Sequence, residues 1–250
     1  MKPFKKLKSK RDIRLYFMFI KEELNAYRAY SLKIEEFLEA SLEDKENEFE
    51  KLTADMDDGA SFNIYDKEYG NEINRLEDVF PNLLRVTLFI KCFSFLEVEL
   101  FSLANELKKE LDLSLSINDL QGSNIRKAQN YLKNVANIEF PDNDESWHEI
   151  KKYNILRNYL VHDGLGFPIT MEELDSNASK IGITGKTKEL INIINQHPLL
   201  SLEESLVDYL ELRLSKEFCS EVIDDLMRFF TIIYNILLNC EWVIEEDKNF

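Results

Sequence analysis

Across 250 residues there are only seven glycines and five prolines, and this scarcity of chain breakers is the strongest constraint on the fold. Turn-rich sheet architectures need both residues at short intervals. A chain dominated instead by Leu, Ile, Phe, Glu, Lys and Asn runs in long helices. The expected fold class is therefore all-α. With 44% hydrophobic residues, a chain of this length builds a packed core rather than staying disordered.

Helical apolar spacing extends from about Arg11 to Asp57, as one long helix or a kinked pair, and ends before Gly59. From Gly59 to Asn71 the periodicity lapses and a connecting loop is expected. A dense apolar pattern from Leu83 to Leu111 opens at Pro81, a residue tolerated in a first helical turn. A turn at Asn118–Ser123 precedes an amphipathic helix over Asn124–Val135. Pro141–Asp144 then breaks the chain before a helix from Glu145 to His162, which Gly164 and Gly166 end. Residues 166–214 carry Pro168, Gly182, Gly185 and Pro198 between short apolar groups, and are expected to form an irregular insertion. Within it Val207–Leu214 alternates like a strand, with a partner expected near Ile181–Thr184 in a short β-hairpin. Ser215 is the expected cap of a last, almost wholly apolar helix from Lys216 to about Val243. No repeat or low-complexity linker interrupts 1–250, which is taken as one domain.

The formal charge of −16 argues against broad attraction to nucleic acid, which is driven by Lys and Arg. It is unevenly spread: residues 1–14 carry +6, leaving −22 for the rest. That basic arm suits RNA, an acidic partner or the protein's own acidic body, and a solvated terminus is the plainest reading. Three scattered cysteines, Cys92, Cys219 and Cys240, suit reduced packing residues in a cytoplasmic protein better than disulfides. The N-terminus lacks the uninterrupted apolar core of a secretory signal. The most apolar stretches are broken by Lys91, Glu97 and Glu99, and by Asn235, Asn239 and Glu241, so no membrane span is expected. Histidines and cysteines show no metal-ligand spacing, and no cofactor or metal is expected. Gly182–Thr187 contains Gly-Lys-Thr, but Lys180 stands where a phosphate-binding loop needs its first glycine, so a surface turn is expected.

The segment Arg157-Asn158-Tyr159-Leu160-Val161-His162 carries the most chemistry. On a straight helix Arg157 and His162 lie about 140° apart, whereas Asn158 and His162 share a face, so Asn158 is placed to orient the imidazole. Unwinding at Asp163-Gly164-Leu165-Gly166 would let the ring swing toward Arg157. A histidine near neutrality can move a proton while an arginine stabilises phosphate charge, which suits metal-free RNA cleavage. On spacing alone, the stronger reading is an Arg and a His that merely interact with a helix end. Glu97 is an acid on an apolar face: Ile90, Phe93, Phe101 and Ala104 fall within about 40° of it on a helical wheel. Such a carboxylate needs a cation, either Arg157 or a structural partner such as Lys108. Lys151 and Lys152 add a modest basic group. His148 falls on the face opposite Arg157, and with Trp147 is expected to pack near the helix start; His197 is a turn residue.

The string Leu156-Arg157-Asn158-Tyr159-Leu160-Val161-His162-Asp163-Gly164 resembles the Arg-polar-x3-His motif of the HEPN superfamily of helical nucleases. Phe93-Ser94-Phe95-Leu96-Glu97 lies on a preceding helix, as in that superfamily. The resemblance covers roughly Pro81 to His162. It implies a HEPN-like helical bundle and metal-independent endoribonuclease activity at a cleft between two subunits of a homodimer. Its product is a 2′,3′-cyclic phosphate. It further implies His162 as proton-transfer residue, Arg157 as phosphate stabiliser, Asn158 as an orienting or RNA-contacting group and Glu97 as a nearby acid. Many members are toxins or antiphage effectors restrained by an antitoxin or regulatory partner. Others only bind RNA or proteins, and this non-catalytic alternative stays open.

Overall fold

The computed structural model describes residues 7–167, 185–204 and 209–243. These are mainly helical, with one small three-stranded sheet. Helix α1 (Lys10–Thr53) opens on a reciprocal cap: the Asp12 amide donates to Ser9 Oγ at 3.1 Å, and the Ser9 amide donates to Asp12 Oδ2 at 3.3 Å. Two otherwise orphaned donors are thereby satisfied. No glycine or proline interrupts the next 44 residues, which form one helix rather than a pair. The described part of the expected basic arm, from Leu7 to Arg14, does not stand free of the protein. Residues 1–6 lie outside the described residues, whereas Leu7 and Ile13 are buried and Lys8 reaches Glu110 at 3.7 Å.

The loop expected over Gly59–Asn71 is helical instead. Asp57 accepts the Ala60 amide at 2.9 Å and starts α2 (Asp58–Ile64). A π turn at Tyr65–Tyr69, α3 (Gly70–Asn74) and a second π turn at Arg75–Val79 lead directly into α4 (Phe80–Glu110). Both glycines that mimic loop signals serve helical geometry. Gly59 sits in a first turn, and a Cβ on Gly70 would meet the Tyr65 ring at 3.0 Å and its carbonyl oxygen at 3.2 Å. Pro81 lies in the first turn of α4, as expected, although a π turn rather than a loop leads into it. A proline preceded by helical turns removes one bond and crowds the carbonyl four residues back, and the second π turn opens the ladder immediately before this one.

Downstream come a 3-10 turn (Ile117–Asp119), α5 (Asn124–Asn130), a π turn (Tyr131–Val135) and α6 (Glu145–His162). The stretch 166–214 is regular where it is described: β1 (Gly166–Phe167), α7 (Gly185–Gln196), β2 (Leu200–Glu204) and β3 (Leu210–Leu214). Gly185-Lys186-Thr187 is thus the first turn of a helix rather than a surface turn; Gly182–Thr184 lie outside the described residues. β3 pairs antiparallel with both other strands, Gly166 opposite Glu211 and Leu202 opposite Leu212. The partner expected near Ile181–Thr184 also lies outside the described residues. Alternation on β3 is real: Leu210, Leu212 and Leu214 are buried between Glu211 and Arg213. The last helix, α8 (Phe218–Leu238), begins two residues after the expected start. Ser215 is no side-chain cap, since its buried hydroxyl has no partner among the described residues.

The described residues group into two compact units, each assembled from separate parts of the chain. The first takes residues up to Ala26, Ile90–Asn158 and those from Glu221 onward. Its core includes Phe93, Leu96 and Leu100 from α4, Leu156 from α6, and Leu226 and Ile233 from α8. Trp147 stacks on Phe229 with ring centroids 5.4 Å apart and meets Phe140 edge-on at 4.8 Å. Buried Tyr153 donates its hydroxyl to Asp225 Oδ2 at 2.8 Å. The second unit takes Tyr27–Phe89 and the described part of Tyr159–Ser220. Here Arg85 donates Nε and Nη2 to the two oxygens of Glu35 at 2.7 and 2.8 Å, and Nη1 to the Leu214 carbonyl at 3.0 Å. Asn82 donates to the Leu212 carbonyl and accepts the Leu214 amide. No described helix is long and apolar enough to cross a membrane.

Burial raises the Asp225 carboxyl above the ordinary carboxylate range, although the Tyr153 hydroxyl and Arg228 both favour its charged form. A carboxyl with a raised folded-state pKa favours folding below its unfolded value of about 3.9. That contribution is lost as pH rises through the folded value. Asp225→Asn, which keeps an acceptor for Tyr153, is therefore expected to exceed the parent in stability at pH 7 and to lose the margin toward pH 4. Urea denaturation at the two pH values checks this, and a margin that grows on acidification contradicts it.

Candidate functional site

The motif helix α6 starts where Asp144 accepts the Ser146 amide at 2.9 Å, and carries Arg157, Asn158 and His162 in its last two turns. Within the first unit, α4 supplies the counterpart. Glu97 Oε2 accepts from Arg157 Nη2 at 2.8 Å, with the two side chains 11% and 21% exposed. The cation sought for Glu97 on sequence grounds is therefore Arg157; no described ion pair joins it to Lys108. Phe93, one turn before Glu97 on the same helical face, lies under the guanidinium, whose carbon is 5.7 Å from the ring centroid. A cation over an aromatic face in a partly desolvated position adds to the electrostatic hold.

Asn158 serves the arginine rather than the histidine. Its Oδ1 accepts from Arg157 Nη1 at 2.9 Å, and its Nδ2 donates to Asn154 Oδ1 at 3.5 Å. Orientation of the imidazole by Asn158 is thus not what the geometry delivers. Nor does the helix unwind at His162. α6 is regular to that residue, and the Asp163 amide still donates to the Tyr159 carbonyl at 2.7 Å. The chain turns only at Gly164, whose φ of +83° is open to glycine at no steric cost. His162 is exposed, and no described residue gives it a hydrogen bond or ion pair.

One residue missed on sequence grounds fixes the end of this helix within the second unit. Tyr159 donates its hydroxyl to the Gly166 carbonyl at 2.6 Å and stacks on buried Phe167 at 4.5 Å and 17°. Burial raises its phenol to about 12, helped by the charge of Asp163, so it stays a hydrogen-bond donor at neutral pH. The signal available was a tyrosine followed seven residues later by a glycine in a glycine-containing turn. Phe93 and Asn154 were also missed as site residues. Their signal was the four-residue spacing from Glu97 and from Asn158 respectively.

The remaining candidates fall away from this cluster. His148 is exposed rather than packed, while its neighbour Trp147 is buried. His197 packs its ring at 5.3 Å from Phe218. Lys152 is taken up by Glu149 at 2.6 Å. Cys92 and Cys219 are buried and form no disulfide among the described residues, and burial raises Cys219 to about 12. No group of three or more potential metal ligands occurs among the described residues.

What the cluster can do follows from its unused valences. Arg157 gives one hydrogen of each terminal nitrogen to Asn158 and Glu97 and keeps a second N–H on each, while Nε is buried with no partner among the described residues. A partly exposed guanidinium held by one carboxylate oxygen can receive a second anion such as a phosphate. No family model, curated protein or solved structure matches the chain.

Removing the Glu97 charge leaves Arg157 half-buried without its counter-ion. A fully buried pair broken in this way costs about 3–5 kcal/mol, and partial exposure reduces the expected loss for Glu97→Gln to about 1–3 kcal/mol. Lys108→Ala is expected to stay within about 0.5 kcal/mol of the parent. Urea midpoints at constant slope check both; equal losses in the two variants would contradict the assignment of Arg157 as the partner.

Proposed function

We propose that the chain is a metal-independent endoribonuclease of the HEPN type, acting in the cytoplasm as a homodimer. The observation that carries the reading is the Glu97–Arg157–Asn158 cluster one turn before an exposed His162 on α6. Arginine and histidine supply the two functions that cleavage through a neighbouring hydroxyl needs. His162 takes the proton from the ribose 2′-hydroxyl, the 2′-oxygen bonds to phosphorus, and the bond to the 5′-oxygen breaks. A proton delivered to that oxygen completes a 5′-hydroxyl and a 2′,3′-cyclic phosphate. Arg157 stabilises the charge that builds on the phosphate, a role for which Glu97, Phe93 and Asn158 hold it in place. An unbroken helix directs residues five apart in different directions. The reading therefore places Arg157 of one copy and His162 of a second at the same phosphate.

The net charge of −16 opposes binding of bulk RNA and favours a restricted substrate. That restriction suits a toxin or antiphage effector restrained by an antitoxin or regulatory partner. One observation favours a second reading, a non-catalytic RNA-binding or protein-interaction module: no described residue orients His162, whereas catalytic imidazoles are commonly set by a second hydrogen bond.

The test is cleavage of cellular RNA by the purified chain in the presence of a chelator, with product ends mapped. Arg157→Ala and His162→Ala are each expected to lower the rate by about 10²–10⁴-fold without loss of helical signal. Full activity in both variants sinks the mechanism. Binding without cyclic-phosphate product in the parent establishes the non-catalytic module.

A further inference from the structure

The first unit contains a cavity that no step of the proposed cleavage uses. It is a half-open groove of about 480 Å³ beside Arg14–Leu24 of α1 and Met227–Tyr234 of α8, within the 300–1,000 Å³ range of small-molecule sites. Phe17, Ile20, Leu24 and Phe230 form an apolar floor and are nearly inaccessible themselves. Phe17 stands edge-on to Phe230 at 6.4 Å and tilts against Tyr234 at 5.0 Å. Met18 and Met227 line the walls, where an unbranched thioether adapts to the shape of a guest.

Charge distinguishes this cavity from a simple packing defect. In a chain of net charge −16, the lining includes three cations, Arg14, Lys21 and Arg228, and no acid. Arg14 and Lys21 are seven residues apart, two turns along one face of α1, and both are exposed. Arg228 is shared with Asp225 at 3.5 Å and Glu145 at 3.8 Å. No described acid forms an ion pair with Arg14 or Lys21. The two cations on α1 thus stand beside apolar surface with their charge uncommitted, the arrangement that receives an anionic head above an apolar body.

We propose that this cavity binds a small amphipathic carboxylate of the medium-chain fatty-acid class. The chain lies along Phe17, Leu24 and Phe230, and the carboxylate meets Arg14 and Lys21. Size selects this occupant over a partner helix. The lining spans eleven residues of α1, Arg14 to Leu24, roughly 15 Å, and a helix of that length, about 10–12 Å across with its side chains, is larger than the groove. A single alkyl chain fits. The site is independent of the ribonuclease reading and stands whether or not RNA is cleaved.

The experiment is isothermal titration of the full chain at low ionic strength with sodium decanoate below its micellar range. Decanol serves as the uncharged counterpart. One saturable site is expected, with decanoate binding at least tenfold more tightly than decanol. The doubly reversed variant Arg14→Glu, Lys21→Glu is expected to weaken decanoate at least tenfold and to leave decanol within twofold. Both side chains are exposed, so helical circular dichroism should match the parent. Thr231→Trp is expected to fill the space and abolish both ligands, and Met18→Trp replaces it if that variant does not fold. Absence of saturable decanoate binding overturns the proposal, as does equal decanoate affinity in the parent and the charge-reversed variant. Binding that survives in the filled variant overturns it too, and so does a preference for an acidic amphipathic peptide over decanoate.

Discussion

Arg85 joins three elements of the second unit with one guanidinium: Nε and Nη2 on the two oxygens of Glu35 in α1, and Nη1 on the Leu214 carbonyl of β3. Glu35 is only 2% exposed, and a carboxylate so placed is tolerated only when paired and hydrogen-bonded. Desolvation works against the charged arginine, but the bond to Glu35 prevails and raises its pKa above the ordinary value. The sheet depends on this arrangement. β3 presents its carbonyls to Arg85 and Asn82 on α4 while burying Leu210, Leu212 and Leu214, so its registry relative to the helix is set by polar bonds as well as by apolar packing.

A second ion pair on α4 follows a different logic. Arg85 engages Nε and both terminal nitrogens, which makes it a finished structural joint. Arg157 binds one oxygen of Glu97 and its neighbour Asn158, and its Nε is buried without a described partner. Both arginines are about one-fifth exposed, so burial does not separate them. Saturation does. The unsaturated guanidinium lies at the motif that resembles a nuclease site, and the saturated one lies where the sheet needs an anchor.

Much of the helical framework is legible in the residues because its signals are local. The bounds of α6 follow from Asp144, a run of helix formers and a glycine that adopts positive φ. The alternation of Leu210, Leu212 and Leu214 with Glu211 and Arg213 announces β3. Where the reading fails, the cause is also specific. Gly59 and Gly70 mimic loop signals, yet short helices and two π turns carry the chain through them to α4. Such turns have no single-residue signature, because they answer to packing around them. Pro198 and Gly185 suggested irregularity, whereas a helix and paired strands occupy the described parts of that stretch.

The site divides along the same line. Residue type and spacing alone single out Arg157, Asn158 and His162 on one helix, and mark Glu97 as an acid on an apolar face in need of a cation, because helical periodicity is a local property. Which cation Glu97 takes, that Asn158 serves Arg157 rather than His162, and that the helix stays wound to its last residue were decided only by tertiary structure. Each depends on which groups meet across 60 residues of chain or compete for the same donor. Local pattern names the chemical groups; long-range packing settles which of their valences are spent and which remain available for a ligand.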